Sequence, residues 1–354
     1  MEDYFLIHKN RLLKLVEYAK KNIPYYRESL PDDLKSALTD SNSWTSSIPL
    51  LDKKVVQAQW EKFLQSPGRE MDYDVVVRRT SGSSGIPLKI VRDRGEMINI
   101  AVNIWSTRSK RINDIINKKV LTLDPFMFGE QKNIMHFTEN GYVDFSTERF
   151  KRNIIDIQNF RPEWIYGFSS GVYRFAQFVL REGVKLSSVK LVEVTGEMLH
   201  ENQRKVIEKA FGCKVVNMYA AQEFDILSYE CEYGILHAWT KNLFFEVLRD
   251  GVPVSEGDIG ELVVTSLTNY TMPLIRYKIG DLVKMESVNC PCGNQQPQLV
   301  PIGGRIGSLI KTRTKIVSSN VIKRIFDNFL GEHDQAITEY QVNNLLKLTT
   351  FIVP

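Results

Sequence analysis

Cysteine is scarce in this chain, with four among 354 residues and only five histidines beside them. So few thiols in a chain of this length do not make a disulfide framework. Net charge is nearly as scarce: 46 lysines and arginines against 42 acidic residues leave +4. That surplus, spread over the whole length, implies neither nucleic acid nor an anionic membrane as partner. There is no run of about eighteen apolar residues of the kind that crosses a bilayer as a helix. The opening Met1-Glu2-Asp3 is acidic where a secretory or transit leader is basic, so a cytoplasmic location is expected. Repeats and low-complexity tracts are missing too. What remains is an ordinary globular composition, 43% hydrophobic and 25% charged. It has enough chain for about two domains and a substantial core.

Periodicity sets the coarse organisation. Leu12, Leu13, Leu15, Val16 and Tyr18 form an apolar stripe in a helix that Pro24 is expected to end. The polar stretch from Asp32 to Ser47 reads as a connector. Residues 75–79 read as a strand feeding a glycine-serine loop. Between about 95 and 220, helical patterns alternate with the β-branched runs 120–123, 191–194 and 215–218, as in a parallel, helix-flanked sheet. A helix from Glu201 to Phe211 closes at Gly212. Beyond 235, the runs 244–248 and 261–265, joined through Asp250-Gly251, read as antiparallel strands of a smaller sheet. The last fifty residues or so hold a helix from Asn320 to Leu330 and a strand from Leu346 to Val353. The expected fold class is therefore α/β: a large domain over 1–303, with an antiparallel β sub-domain from about 230, and a partial α+β segment over 304–354.

Three segments carry chemistry. Thr80-Ser81-Gly82-Ser83-Ser84-Gly85 follows a strand; its glycines let backbone approach an anion and its hydroxyls add donors, as a polyphosphate requires. It lacks the terminal Gly-Lys-Ser/Thr of a P-loop, and an ordinary flexible turn has the same composition. Asn217-Met218-Tyr219-Ala220-Ala221-Gln222-Glu223 leaves a strand where open α/β sheets bind ligands. A ring there can stack on a base and a carboxylate can hold Mg²⁺; a solvated Glu after a strand is the plainer alternative. Arg276-Tyr277-Lys278-Ile279-Gly280-Asp281, with Gly304-Arg305 further on, offers an Asp for paired ribose hydroxyls and an Arg for ribose or phosphate. Singly, each is also a turn or a surface pair.

In this order, and with Asn22-Ile23-Pro24-Tyr25-Tyr26-Arg27, Ile48-Pro49-Leu50-Leu51-Asp52-Lys53, Tyr166-Gly167-Phe168-Ser169-Ser170 and Thr195-Gly196-Glu197, the chain resembles the adenylate-forming ligase superfamily. Within it, the chain is similar to the phenylacetate–coenzyme A ligases and their relatives in capsule biosynthesis, over nearly its whole length. The resemblance implies that Thr80 to Gly85 wrap the ATP phosphates, that Gly196 and Glu197 border adenine, and that Tyr219, beside Asn217, stacks on it. It implies further that Glu223 ligates Mg²⁺, that Asp281 holds the ribose and that Arg305 sits beside it. Tyr166, Gly167 and Phe168 would then line the pocket for an aromatic or otherwise flat, apolar acid. The implied chemistry is acyl-AMP formation and transfer to coenzyme A. Delivery to a carrier-protein thiol or an amine, and a binding module without turnover, stay open as alternatives. A homodimer is also admitted.

The chain departs from that pattern at Ala220, Gln222 and Gly307-Ser308, and about fifty residues follow Arg305 where the family has a mobile domain with an active-site lysine. Lys311 and Lys315 come too early to be that lysine. On this reading the chain binds nucleotide and acid yet adenylates slowly.

Cys231, His237, Cys290 and Cys292 supply three thiols and an imidazole, the set tetrahedral zinc prefers, with the cysteine pair in a tight Cys-Pro-Cys-Gly turn. Reduced, buried cysteines and a core histidine are the alternative. Two cysteines one proline apart are hard to bury against apolar side chains, which favours a structural zinc, and some members of the resembled family pair such residues. Cys213 reads as core, and His8, His136, His200 and His333 as surface or packing residues.

Overall fold

The structure, a computed structural model, describes all residues except 1, 67, 81–86, 125–131, 138–143, 306–308, 312–315, 319–340, 346–347 and 353–354, with side chains described through residue 303. The first apolar stripe forms α1 (Glu2–Asn22), which buries Phe5, His8, Leu12, Leu15, Val16 and Ala19 on one face. Pro24 does more than end it: at the first turn of α2 (Pro24–Ser29) its missing N–H is one no helix would use. The expected connector from Asp32 to Ser47 instead holds α3 (Leu34–Ala37) and α4 (Ser41–Ser47). Asp33 and Asp40 cap them, accepting from the Ser36 N–H at 3.0 Å and the Ser43 N–H at 2.8 Å. The polar residues that suggested a linker are helix-starting residues. Lys53–Ala58 forms α5.

Strands β1 (Val75–Arg79) and β2 (Lys89–Asp93) make a separate antiparallel ribbon, and α6 (Arg94–Ser109) follows it. The alternating region supplies β3 (Val120–Leu123), β4 (Ile134–His136), α7 (Thr147–Phe160), β5 (Trp164–Phe168), α8 (Ser169–Arg181), β6 (Leu191–Thr195), α9 (Glu201–Phe211) and β7 (Val215–Ala221). Helix α9 has the expected bounds and ends at Gly212, whose φ of 67° is the left-handed cap that favours glycine. Next come β8 (Asp225–Glu230), β9 (Leu236–Ala238), β10 (Leu243–Arg249), β11 (Val252–Pro253), β12 (Ile259–Ser266), β13 (Tyr277–Glu286) and β14 (Gln298–Arg305), the last running across the expected boundary at 303/304. Strands β15 (Leu309–Lys311) with β16 (Ile316–Ser318), and β17 (Gln341–Leu345) with β18 (Leu348–Ile352), form two further hairpins. The helix expected from Asn320 to Leu330, and His333, lie outside the described residues, as do the ends of the expected final strand.

Twelve strands join in one sheet, in the order β11-β10-β12-β13-β14-β9-β8-β7-β6-β5-β3-β4. From β4 to β7 neighbours run parallel, and from β7 to β11 antiparallel, so the expected large and small sheets are two halves hydrogen-bonded edge to edge. Where β9 meets β14, the register is a single pair, His237 opposite Gln298. Asp250 and Gly251, both at positive φ, turn β10 back into β11 rather than into β12, which pairs with the other edge of β10. Helices α7, α8 and α9 pack Phe150, Ile157, Phe175, Phe178, Ile207 and Phe211 on one face of the parallel half. On the opposite face, α6 brings Ile104 and Trp105 against Val120, Trp164 and Tyr166. The N-terminal helices cover the antiparallel half, with Tyr4 stacked on Phe244 at 5.3 Å and Trp44 edge-on to it at 6.0 Å.

Arg276 fastens that cover. Its buried guanidinium pairs with buried Glu246, Nε to Oε2 at 3.1 Å and Nη2 to Oε1 at 2.9 Å. Nη1 donates to the carbonyls of Thr45 at 2.8 Å and Ile48 at 2.5 Å, and the Arg276 carbonyl accepts from the Leu51 N–H at 2.9 Å. Glu246→Gln leaves that guanidinium buried without its counter-charge. We expect a loss of about 3–5 kcal/mol of stability, read as a lower urea midpoint by circular dichroism. An unchanged midpoint would refute the role given to the pair.

Candidate functional site

Strand β13 and the hairpin between β7 and β8 bring the sequence-predicted residues to the carboxyl edge of the parallel strands, where open α/β sheets place their ligands. Within β13 the pairing with β12 steps from Val263–Lys278 to Glu261–Leu282, a bulge that contains Gly280 at φ 85°. Bulges re-aim side chains. Here the bulge turns Asp281 toward β7, where the Tyr219 hydroxyl donates to Asp281 Oδ2 at 2.7 Å. The backbone of Arg305 lies opposite Asp281 in register, and its side chain is outside the described set. Glu223 sits in the turn between β7 and β8, its Oε1 accepting from the Tyr277 hydroxyl at 3.2 Å. Tyr219, Glu223 and Asp281 are thus joined through one strand, although 62 residues separate the first from the last.

The glycine-serine loop hangs from the β1–β2 ribbon. Residues 81–86 are not described, so the expectations on Ser81, Gly82, Ser83, Ser84 and Gly85 lie outside the structure, but the foot of the loop is within it. Thr80 is buried; its N–H donates to the Leu88 carbonyl at 2.9 Å and its Oγ1 accepts from the Leu88 N–H at 2.9 Å. Lys53 Nζ lies 3.3 Å from Thr80 Oγ1, bringing a cation to the loop. No local spacing in the sequence marks Lys53. Arg92, almost fully buried, donates to the Glu223 carbonyl at 2.5 Å and pairs with Asp225, to which Arg78 also reaches at 3.4 Å. Burial lowers Arg92 to about 10 and raises the nearby Glu96 carboxyl to about 7.

Other expected residues have partners within the scaffold. Glu197 Oε2 accepts from the Ser170 N–H at 2.9 Å and its carbonyl from the Ser169 hydroxyl at 3.1 Å, so it caps α8. The Asn217 N–H donates to Glu230 Oε2 at 2.6 Å. Tyr166 is buried, its ring 5.7 Å from the Arg108 guanidinium, which pairs with Glu193. A Cβ on Gly167 would meet the Leu123 side chain at 2.7 Å, and one on Gly196 the Phe168 ring at 2.6 Å. Phe168 and Gly196 are therefore in contact, and Phe168 is the half-buried member of its trio.

A second cluster lies at the seam between β9 and β14. Cys231 follows β8, His237 is in β9, and Cys290 and Cys292 lie between β13 and β14. Their four ligand atoms all fall within 4.8 Å of one another, with Cys231 Sγ 3.5 Å from Cys290 Sγ and Cys292 Sγ 3.4 Å from His237 Nε2. A tetrahedral ion with metal–sulfur bonds of about 2.3 Å spaces its sulfurs by about 3.8 Å. His237 Nδ1 is 2.9 Å from the Gln296 carbonyl, an orientation that leaves Nε2 facing the sulfurs. The Asn294 N–H points at Cys292 Sγ from 3.4 Å. Among the other histidines, His8 is a packing residue, with Nδ1 2.8 Å from the Tyr4 carbonyl.

No family model matches the chain. It is 24% identical to protein CapK of Staphylococcus aureus over 369 residues, covering 99% of this chain and 78% of that protein. It is 33% identical to the phenylacetate–coenzyme A ligase of Thermus thermophilus over 171 residues, 46% of this chain and 38% of that protein. Among solved structures it superimposes on an open conformation of 2-hydroxyisobutyryl-CoA ligase, in complex with 2-HIB-AMP and CoA. That match has a TM-score of 0.71 and 18% identity, and covers 98% of this chain and 83% of the other. At that identity the likeness is one of fold.

Proposed function

We propose that this chain, which has the adenylate-forming ligase fold and is related in sequence to the phenylacetate–coenzyme A ligases, activates a carboxylic acid with ATP and passes the acyl group to a thiol such as coenzyme A. The observation that carries the proposal is the Tyr219–Asp281 hydrogen bond at 2.7 Å, with Glu223 on the same hairpin. A ring whose hydroxyl is held by a carboxylate is fixed in orientation, as a stacking surface for adenine requires. The same carboxylate then faces the ribose hydroxyls, with Arg305 opposite it. Thr80 and Lys53, 3.3 Å apart, mark the phosphate end beside the loop of 81–86.

Glu223 offers hard carboxylate oxygen, which suits Mg²⁺; the ion, when bound, neutralises phosphate charge. In the first half-reaction a carboxylate oxygen of the acid attacks the α-phosphorus and the bond to pyrophosphate breaks, leaving acyl-AMP. In the second, the thiol sulfur attacks the acyl carbon and AMP departs, the thiol proton passing to solvent. The chain's own contribution is positioning and charge. Phe168, against Gly196 and backed by Tyr166 and Gly167, borders the acid, which favours a flat, largely apolar one.

The cluster of Cys231, His237, Cys290 and Cys292 fits zinc in donor type and spacing. Four protein ligands leave no open position, so the ion would join β8, β9 and the β13–β14 loop and take no part in the reaction. Elemental analysis of folded, reduced protein purified without added metal should find about one zinc per chain; finding none overturns this assignment.

Asp281→Ala should weaken nucleotide binding by about 1.5–3 kcal/mol for each charge-assisted bond lost, measured by calorimetry. An unchanged affinity would mean the nucleotide lies elsewhere. Pyrophosphate exchange over a panel of carboxylic acids tests the activity directly. Exchange with at least one acid, followed by thioester formation on adding coenzyme A, is expected. Binding without exchange would instead indicate a module without turnover, and exchange without thioester another acceptor.

A further inference from the structure

We infer that Asp225, gripped by Arg92 and Arg78, is a positioning residue that sets the distance between the β1–β2 ribbon, whose first strand runs into Thr80, and Glu223. The inference rests on the reading of Glu223 as the Mg²⁺ carboxylate, and it adds three side chains that neither spacing nor resemblance singled out.

Register comes first. In the β1–β2 ribbon, Val76 lies opposite Arg92 and Arg78 opposite Ile90. Directly opposed residues share a face, as do residues two apart on one strand, so Arg78 and Arg92 project from the same side of the ribbon. Both meet Asp225: Arg92 Nη1 pairs with Oδ2, and Arg78 Nη1 lies 3.4 Å from Oδ1. Arg92 Nη2 also donates to the Glu223 carbonyl at 2.5 Å. One guanidinium therefore holds both the backbone of the residue that carries the metal-seeking carboxylate and the side chain two positions on. The arginine is 3% exposed and the aspartate 14%, so water screens the pair little.

The two elements share a core, in which Val91 and Ile90 lie with Phe224, and Asn269 Nδ2 donates to the Val91 carbonyl at 3.1 Å. Among the polar contacts described between them, those of Arg92 and Arg78 are the ones that reach the turn carrying Glu223 and Asp225. The ribbon is a separate two-stranded sheet, and its strands are connected by residues 80–88, which include the loop. The hairpin that carries Glu223 belongs to the twelve-stranded sheet. A cation that bridges a carboxylate on one and phosphate on the other requires both at fixed separation, and small errors in such a separation are costly. Asp225 has φ 59°, the left-handed region, which places its carboxylate toward the ribbon at the start of β8.

Asp225→Asn is the decisive variant. Asparagine tolerates that backbone conformation and keeps the shape, so charge is what changes. ATP affinity is measured by calorimetry with Mg²⁺ and with EDTA, and AMP affinity beside it, in wild type, Asp225→Asn, Arg92→Lys and Glu223→Gln. The expected result is that Asp225→Asn and Arg92→Lys weaken Mg²⁺-dependent ATP binding about tenfold or more while AMP affinity stays within twofold. If Glu223→Gln abolishes the Mg²⁺ dependence and the other two keep it, the inference is overturned and the reading of Glu223 stands. If wild type has no Mg²⁺ dependence, the reading of Glu223 fails first. Equal losses for AMP and for Mg²⁺-ATP, or loss of fold in both variants by thermal melting, assign the pair to general stability and overturn the inference.

Discussion

A buried arginine one residue before β13 decides what the rest of the structure can do. Arg276 reaches Glu246 on β10 and the carbonyls that end α4, and its own carbonyl receives the chain at Leu51. A guanidinium out of water is tolerable only when nearly every donor has an acceptor, so the N-terminal helices must dock where these carbonyls are offered. Docking there fixes the start of β13. Its next residue, Tyr277, then reaches Glu223, and the bulge further along turns Asp281 to Tyr219. Successive positions of one segment thus serve the scaffold and the site in turn. The Arg-Tyr-x-x-Gly-Asp element is one device, in which the arginine anchors the cover and the aspartate holds Tyr219.

Local pattern was legible where a contact repeats at the period of its own element. The strand at 75–79, the run at 120–123 and the helix from Glu201 to Gly212 each follow from alternation, apolar spacing and a glycine cap. The antiparallel strands after 240 were also legible, and so was the set of four metal-seeking side chains, because thiols and imidazole advertise their chemistry by type. What stayed hidden depends on partners far away in the chain. Nothing near Arg276 announces Glu246, and nothing near Glu197 announces that its carboxylate caps α8. Within the antiparallel half, β9 meets β14 at one register pair, His237 with Gln298, which no local period encodes. Short helices capped by Asp33 and Asp40 were hidden differently, since a cap and a linker draw on the same residues.

The Cys/His cluster and the seam belong together physically. Two strands joined by one register pair have little ladder to hold them. Three thiols and an imidazole, from β9, the segment before it and the β13–β14 loop, converge beside that pair. An ion held there, as proposed, would cross-link a boundary with one register pair and leave the carboxyl edge of the parallel strands unconstrained.

The cover over the antiparallel half has a consequence for synthesis on the ribosome. Tyr26 donates to the Pro273 carbonyl across 247 residues, and Arg276 binds Thr45 across 231. At about 5–20 residues per second, roughly 10–50 s pass between the emergence of the first helices and that of the strands they cover. Throughout that interval Phe5, Leu12, Leu15, Val16 and Trp44 have no sheet to bury against. The nascent chain therefore carries an adhesive amphipathic leader for most of its translation, and its yield in the cell depends on what shields that surface until β13 arrives.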